Sequence, residues 1–295
     1  MPAVARLFRG GGLDAVTPKF QIELRPILKE DSLRKKTIRV LAIASTIALV
    51  VAAALFFAAR RTPAQAPAMN VLISDGMKTV FEAVTPQLEQ ATGRKLAAQF
   101  DSSKNLRDKI LAGEPFDATI ITADVLDDLI KQGKIAAGGR ADISRTGIGM
   151  GVRAGTTKPD ISTAESLRRT LMNAKAISFN PTGASAVHTK DMLMRLGIAQ
   201  AVKNKLILSA EPGRPQMDVA DGKSELVFSL IPEIKGFPGV DLVGPVPAEF
   251  QSYINFAGGI SANAHDAAAA LALIKFFSSP DIAQVMTAKG MEPTQ

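Results

Sequence analysis

The chain has 295 residues, enough for one large or two medium-sized domains, and it contains no cysteine, which excludes disulfides, cysteine-ligated zinc and thiol nucleophiles. Its formal net charge is +7, but residues 1–66 hold the whole excess, because residues 67–295 carry 24 basic and 24 acidic side chains. A nucleic-acid-binding protein needs a basic surface on its folded domain, so we expect no nucleic-acid partner.

Residues 1–39 form a basic segment, and residues 40–59 follow as an uncharged, mostly apolar run. As a helix this run would be about 30 Å long, the thickness of a bilayer core. The heavier positive charge on its N-terminal side predicts that this end stays in the cytoplasm and the rest is exported. The run is therefore predicted to be a transmembrane helix in the inner membrane or the apolar part of a signal peptide, followed by a linker at residues 60–68. An A-x-A pattern ending at Ala66 would allow cleavage and release into the periplasm.

From Met69 onward, short apolar runs alternate with segments of helical periodicity. This alternation predicts an α/β fold with a largely parallel sheet, and ligands bind beyond the carboxyl ends of the strands in such sheets. The predicted strands cover residues 69–73, 95–100, 118–121, 176–179, 206–208, 226–229 and 240–243. The predicted helices cover residues 77–88, 125–131, 161–171, 265–277 and 280–288, and the third of these is expected to begin with a capping box formed by Ser162 and Glu165.

Small polar residues follow several of these strands, and hydroxyls stand at two predicted helix starts. A hydroxyl at a helix start can cap the helix, or it can join the free N–H groups there in holding an anion. Of Ser102 and Ser103, we expect one to cap its helix and the other to face the ligand. Asp75 has the same two alternatives, a cap or a ligand contact. The candidate ligand-binding residues are Ser74, Asp75, Gly76, Ser102, Ser103, Thr182, Gly183, Ser185 and His188.

Signatures of catalysis and metal binding are missing from the sequence. It contains no GxSxG elbow, no GxxxxGK[ST] phosphate loop and no HExxH motif, and its two histidines are too few for a metal site. We therefore predict a binding protein rather than an enzyme, without metal or other cofactor. An enzyme on this scaffold would need an acid or base in the cleft, for which Asp75 and His188 are the candidates.

Four stretches together resemble the type II periplasmic solute-binding proteins of ABC importers, most closely the molybdate-binding group. They are FDSSKNLRDKILAGEPFDATIITAD, NPTGASAVHTKDMLMRLGI, GFPGVDLVGPVPAEFQSYINFAGGI and ALALIKFFSSPDIAQVMTAKGMEP. The resemblance implies two α/β lobes joined by a two-strand hinge, with the ligand in the cleft between them. Lobe one would comprise residues 69–147 with 253–295, and lobe two residues 148–252, with the hinge near residues 147–152 and 253–259.

In the molybdate-binding group, hydroxyls and backbone N–H groups hold the oxyanion, and the resemblance places these roles on Ser103 and Ser185. Two positions depart from the pattern, because Gly76 stands where the family has a serine in the first loop and Leu230 lies near the position of a tyrosine. The carboxylate of Asp75 at the mouth would repel a dianion. A small organic acid is therefore kept as the alternative to molybdate.

The resemblance implies a monomeric periplasmic protein that closes around a small solute and delivers it to the permease of an ABC importer. Two further functions stay open at this point. One is a membrane-anchored sensory module with the same fold, and the other is a dehydratase-type enzyme acting on a small carboxylic acid.

Overall fold

The computed structural model describes residues 34, 37–51 and 67–294. Residues 37–51 are helical and overlap the apolar run, whose remaining part, like the linker up to residue 66, lies outside the described residues. Within the described part of the chain, no helix is both long and apolar enough to cross a membrane. The chain divides into two units between residues 65 and 66, and the architecture below belongs to the second.

The second unit is an α/β structure whose described residues form ten strands and ten α-helices. The strands are β1 (Met69–Ser74), β2 (Leu96–Asp101), β3 (Ala118–Thr122), β4 (Ile135–Arg153), β5 (Ile177–Phe179), β6 (Leu206–Leu208), β7 (Leu226–Leu230), β8 (Val240–Pro245), β9 (Tyr253–Ser261) and β10 (Glu292–Pro293). The helices are α1 (Lys78–Thr92), α2 (Ser103–Leu111), α3 (Ala123–Lys131), α4 (Ala164–Asn173), α5 (Ala186–Arg195), α6 (Ala199–Val202), α7 (Arg214–Ala220), α8 (Ile231–Lys235), α9 (Ala267–Phe277) and α10 (Ala283–Lys289).

The strands follow the order β2-β1-β3-β9-β4-β7-β5-β6, with β8 and β10 also paired to β4. The first sheet region runs from β2 to the first part of β4, and the second runs from the last part of β4 to β6. Parallel pairs join β1 to β2 and β3, and β5 to β6 and β7, whereas β4 and β9 run antiparallel to their neighbours. The expectation of a largely parallel sheet is therefore wrong, because two antiparallel strands pass through the middle of a mixed sheet.

Apolar side chains at helical spacing attach the helices to the sheet. In α1, the buried residues Val80, Phe81, Val84 and Leu88 repeat every three or four positions and form one face. Phe81 stacks on Phe277 of α9, with ring centroids 6.0 Å apart and planes at 12°. The first and last parts of the unit thus share one core, which fixes the position of the β1 end.

The start of α4 differs from the expectation. The capping box is formed by Thr163 and Ser166, with the Ser166 N–H donating to Thr163 Oγ1 at 3.1 Å and Ser166 Oγ receiving the Thr163 N–H at 3.0 Å. The predicted pair of Ser162 and Glu165 is one residue out of register. Serine replaces the glutamate of the usual motif at the third helical position, and the usual sequence pattern therefore does not indicate this capping box.

Strand β4 passes from one sheet region to the other at Gly147 and Ile148. Gly147 pairs with Tyr253 of β9, and Ile148 pairs with Leu230 of β7. At this junction the side-chain amide of Gln251 takes the place of a strand. Its Oε1 accepts the Ile148 N–H at 2.7 Å, and its Nε2 donates to the Ile148 carbonyl at 3.0 Å.

We expect Gln251→Ala to lower the free energy of unfolding by about 1–3 kcal/mol, because the N–H of the buried Ile148 loses its partner. Urea unfolding followed by circular dichroism measures the change. Gln132→Ala is the matched control, since Gln132 is exposed and bonds to Asp128 on its own helix. Equal effects of the two substitutions would contradict the role given to the junction.

Candidate functional site

A narrow chamber lies where the carboxyl ends of β1 and β2 face those of β5, β6 and β7. We call it the acidic chamber. Its lining comes from both sheet regions and contains, among the described residues, no Lys or Arg. The lining residues are Asp75, Ser102, Asn180, Gly183, Ala184, Ser185, Pro212, Gly213, Pro215, Gln216, Ser229 and Glu233.

The two serines that follow β2 have different surroundings. Ser102 caps α2 by accepting the Asn105 N–H at 3.2 Å, and it also lines the acidic chamber. Ser103 Oγ donates to Ser74 Oγ and accepts the Thr122 N–H, both at 3.0 Å. Ser103 and Ser74 therefore tie the ends of β1, β2 and β3 together and are absent from the chamber lining. The expectation that one serine caps is confirmed for Ser102, but the same residue is also the one that lines the chamber.

Asp75 begins a short 3-10 turn, Asp75–Met77, directly after β1. The cap interpretation of Asp75 is wrong, because α1 starts after Met77 and no side-chain hydrogen bond caps it or the turn. Burial raises the pKa of the Asp75 carboxyl to about 6, and the nearby charge of Asp101 adds to the effect, while Lys78 and Lys109 oppose it.

Asp101, the neighbour of Asp75, behaves in the opposite way. Burial works against its charge, but hydrogen bonds from Asn105, Lys109 and the Ser102 N–H outweigh it and lower its pKa. Asp101 therefore stays ionised behind the acidic chamber and makes ionisation of Asp75 harder.

Glu233 lies opposite Asp75, in the first turn of α8. Its carboxylate accepts a hydrogen bond from Ser229 Oγ, which in turn accepts one from Gln216 Nε2 at 3.1 Å. Burial raises the pKa of Glu233 to about 7; the bond from Ser229 opposes the shift, and the charge of Asp75 increases it. The two carboxyl groups therefore titrate as a coupled pair, and near neutral pH the pair retains part of its protons.

Sequence reasoning missed Glu233, Ser229 and Gln216, which complete this chamber from the second sheet region. A detectable signal existed in Pro232-Glu233 after the apolar run of β7, since proline and an acid are typical of a first helical turn. That signal indicates a helix start and says nothing about what the acid faces.

The loop before α5 is held by Asn180. Its Oδ1 accepts the N–H groups of Thr182 and Gly183, at 2.9 and 3.0 Å, and the Thr182 hydroxyl. Thr182 is exposed, and its hydroxyl is already bonded to Asn180. Gly183, in contrast, lines the chamber. Ser185 is only 3% exposed, precedes α5 without capping it, and its hydroxyl bonds to no described residue. This hydroxyl is free to meet a ligand in the chamber.

Gly76 is a packing position. A Cβ at this residue would lie 2.6 Å from Phe256 Cζ and 2.8 Å from Leu230 Cδ1, closer than real side chains approach. The two departures from the molybdate-binding pattern are therefore in contact with each other. The side chain of Leu230 occupies space that a serine at position 76 would need.

His188 lies in a second cavity of about 250 Å³, which we call the histidine chamber. The two chambers share Ala184 as a lining residue, so they are neighbours. The lining residues of the histidine chamber are Thr122, Ala123, Asp124, Ala184, His188, Tyr253, Ile254 and Asn255.

A larger cavity, of about 530 Å³, lies elsewhere. It is lined by Val152, Arg153 and Leu226, at the amino end of β7. Ligands of α/β sheets bind at the opposite ends of the strands, so we do not assign the site to this cavity. No cluster of three potential metal ligands occurs within the part of the chain that the structure describes.

Residues 69–292 match the family of bacterial extracellular solute-binding proteins. An aconitate isomerase from Pseudomonas sp. is 28% identical over 231 residues, covering 76% of this chain and 87% of that protein. The molybdate-binding protein ModA of Azotobacter vinelandii is 26% identical, covering 77% of this chain and 90% of that protein. The solved structure of the periplasmic molybdate-binding protein of A. vinelandii superposes with a TM-score of 0.66 at 17% identity, covering 77% of this chain and all of that one.

The raised pKa values predict a pH-dependent stability. An acid whose folded-state pKa lies above its unfolded value stabilises the fold only while protonated, so the contribution of Glu233 is lost as pH rises from about 4 to about 7. We expect Glu233→Gln to raise the melting temperature at pH 8 and to have little effect at pH 4. Thermal melts across this range test it, with exposed Glu249→Gln as control. A shift independent of pH would contradict the assigned burial.

The tight packing of Gly76 gives a second test. We expect Gly76→Ala to lower the free energy of unfolding by about 1–3 kcal/mol through overpacking against Phe256 and Leu230. Gly244→Ala is the matched control, because a Cβ there would meet no atom within 4 Å. Denaturant unfolding of both variants compares them, and a fully stable Gly76→Ala would show that the neighbours can give way.

Proposed function

Because this chain belongs to the bacterial extracellular solute-binding proteins, we propose that it binds a small organic acid, with one carboxylate in the acidic chamber of about 40 Å³, rather than molybdate. Membership of this family implies a periplasmic or extracellular location. The observation that carries the proposal is the pair of facing carboxyl groups, Asp75 and Glu233, in a chamber whose described lining contains no Lys or Arg.

The carboxyl pair makes the chamber a poor place for a tetrahedral dianion. Above pH 7 both groups tend toward ionisation, and like charges in a partly desolvated site repel strongly. The serine expected from the molybdate-binding pattern is replaced by Gly76, and its space is filled by Leu230. Both observations weigh against molybdate as the ligand.

A carboxylate of an organic acid brings one negative charge to these groups, whereas molybdate brings two. A protonated carboxyl donates a hydrogen bond to a carboxylate, and such charge-assisted bonds are among the stronger ones in proteins. The free Ser185 hydroxyl and Ser102 offer further polar contacts on opposite sides of the chamber. A relative named for an organic acid, the aconitate isomerase, supports this class of ligand.

The transport role follows the same proposal. Residues 69–147 with 253–295 would act as one lobe and residues 148–252 as the other, and the solute would favour the closed arrangement by binding it better. The closed protein would then deliver the solute to the permease of an ABC importer. The monomeric state stays a prediction.

Isothermal titration calorimetry of the purified protein tests the ligand class. We expect binding of one or more small carboxylic acids, and no binding of molybdate, tungstate or sulfate. Glu233→Ala, which removes the carboxyl that keeps its proton longest, should weaken binding of the acid, while exposed Glu249→Ala, as control, should leave it unchanged. Binding of molybdate and tungstate alone would overturn the proposal.

The same pair of carboxyls favours a second candidate function, the isomerisation of an unsaturated organic acid. One carboxylate would remove a proton from carbon, and the other, protonated, carboxyl would return a proton to a second carbon of the same molecule, so no cofactor is consumed. The higher pKa of Glu233 suits the donor and the lower pKa of Asp75 suits the base. The likeness to an aconitate isomerase is the reason to try aconitate first.

Proton NMR of cis- and trans-aconitate with the protein in D2O tests this second function. Isomerisation should be accompanied by deuterium at carbon, and both Asp75→Asn and Glu233→Gln should slow it by about 10²–10⁴-fold. Glu249→Gln serves as control. Tight binding without isomerisation or exchange would leave the chain a binding protein.

A further inference from the structure

We propose that the histidine chamber is a second carboxylate subsite, so that the preferred solute is a dicarboxylic acid or larger polycarboxylic acid with one acid group in each chamber. This inference rests on the proposed function, because it presupposes an organic acid in the acidic chamber. It adds two requirements to the proposed function: the solute must carry at least two acid groups, and it must be long enough to place one in each chamber.

The first support is that the two cavities are adjacent. Ala184 lines both, and the histidine chamber is built from both sheet regions, with Ala123 at the start of α3 on one side and His188 of α5 on the other. The first residues of β9 complete it. On this inference, a solute with one acid group in the acidic chamber reaches past Ala184 and places the other in the histidine chamber.

The second support is Thr122, which is 5% exposed and lies at the N-cap position of α3. Its N–H donates to Ser103, but its hydroxyl neither caps the helix nor bonds to any other described residue. A capping hydroxyl normally stabilises a helix, so this hydroxyl gives up an available bond. Because Thr122 lines the histidine chamber, a ligand oxygen there could supply the missing partner.

Ser185 repeats the same arrangement in the acidic chamber. It too stands at the N-cap position of a helix, is buried, and leaves its hydroxyl without a partner among the described residues. Each chamber thus has, at a helix start, one hydroxyl without a partner among the described residues, at α3 in one and at α5 in the other. Such helix starts favour negative charge, and two of them suit a solute with two anionic ends.

The charges around the histidine chamber agree with this assignment. His188 is the one basic side chain among the described residues that line either chamber, and its imidazole forms no ion pair or hydrogen bond with them. Asp124, the acid in the lining, is exposed, so solvent screens its repulsion of a carboxylate. An imidazole N–H can donate to the second carboxylate of the solute.

The test compares acids that differ by one carboxylate. We expect the wild-type protein to bind succinate, glutarate or tricarballylate at least tenfold more tightly than butyrate. Thr122→Val should reduce that affinity about tenfold, while leaving butyrate binding unchanged. Thr122→Ser keeps the hydroxyl and should keep the affinity, which separates the hydroxyl from the fit of the side chain. His188→Gln should act like Thr122→Val, and thermal melts check the folding of each variant.

The outcomes separate this inference from the function on which it rests. If monocarboxylic acids bind and a second or third carboxylate adds nothing, the histidine chamber is no subsite and the organic-acid function survives. If Thr122→Val weakens both classes of acid equally, Thr122 acts through the fold and the inference is overturned. If no acid of either class binds, both proposals fail.

Discussion

Strand β4 runs through both sheet regions, and the position of the candidate site depends on it. Its first part pairs with β9 and its last part with β7, so two sets of parallel strands are attached to one continuous backbone. Their carboxyl ends consequently face each other, and the side chains that follow β1, β2, β5 and β7 meet in one chamber. The Gln251 amide maintains strand-like hydrogen bonding where β4 changes partners, which keeps this arrangement ordered at the junction.

The chamber concentrates acid in a chain whose relatives include a protein named for binding molybdate. Asp75 and Glu233 are brought together by different strands, and each loses water on doing so. Holding an unpaired carboxylate away from water costs free energy unless hydrogen bonds or a ligand offset it. The Glu233 carboxylate is hydrogen-bonded to Ser229, which is in turn bonded to Gln216. The side chain of Asp75 forms no hydrogen bond or ion pair within the described residues. A solute that forms a hydrogen bond with the Asp75 carboxyl would therefore offset the cost of removing this group from water.

The sequence predicts local features of this site well and its assembly poorly. Ser102 as a cap, Ser185 at a helix start and the alternation of strands and helices follow from short patterns within a few residues. Glu233 could not be placed in the same way, because it lies 158 positions after Asp75 and its role depends on the path of β4. That path was itself missed, since the glycines and polar residues at 138–147 weaken the apolar alternation typical of a strand.

The contact between Gly76 and Leu230 relates two features of the chamber that bear on its class of ligand. A serine at position 76 needs space for its Cβ and hydroxyl, and Leu230 and Phe256 occupy that space. Leu230, which occupies the space beside Gly76, also directly precedes α8, and the first turn of α8 carries Glu233. The packing that leaves no space for a serine at position 76 and the acid of Glu233 are therefore linked through one short segment. On this argument, changing Leu230 alone would open space near Asp75 without removing the acid pair, and would not by itself restore an oxyanion site.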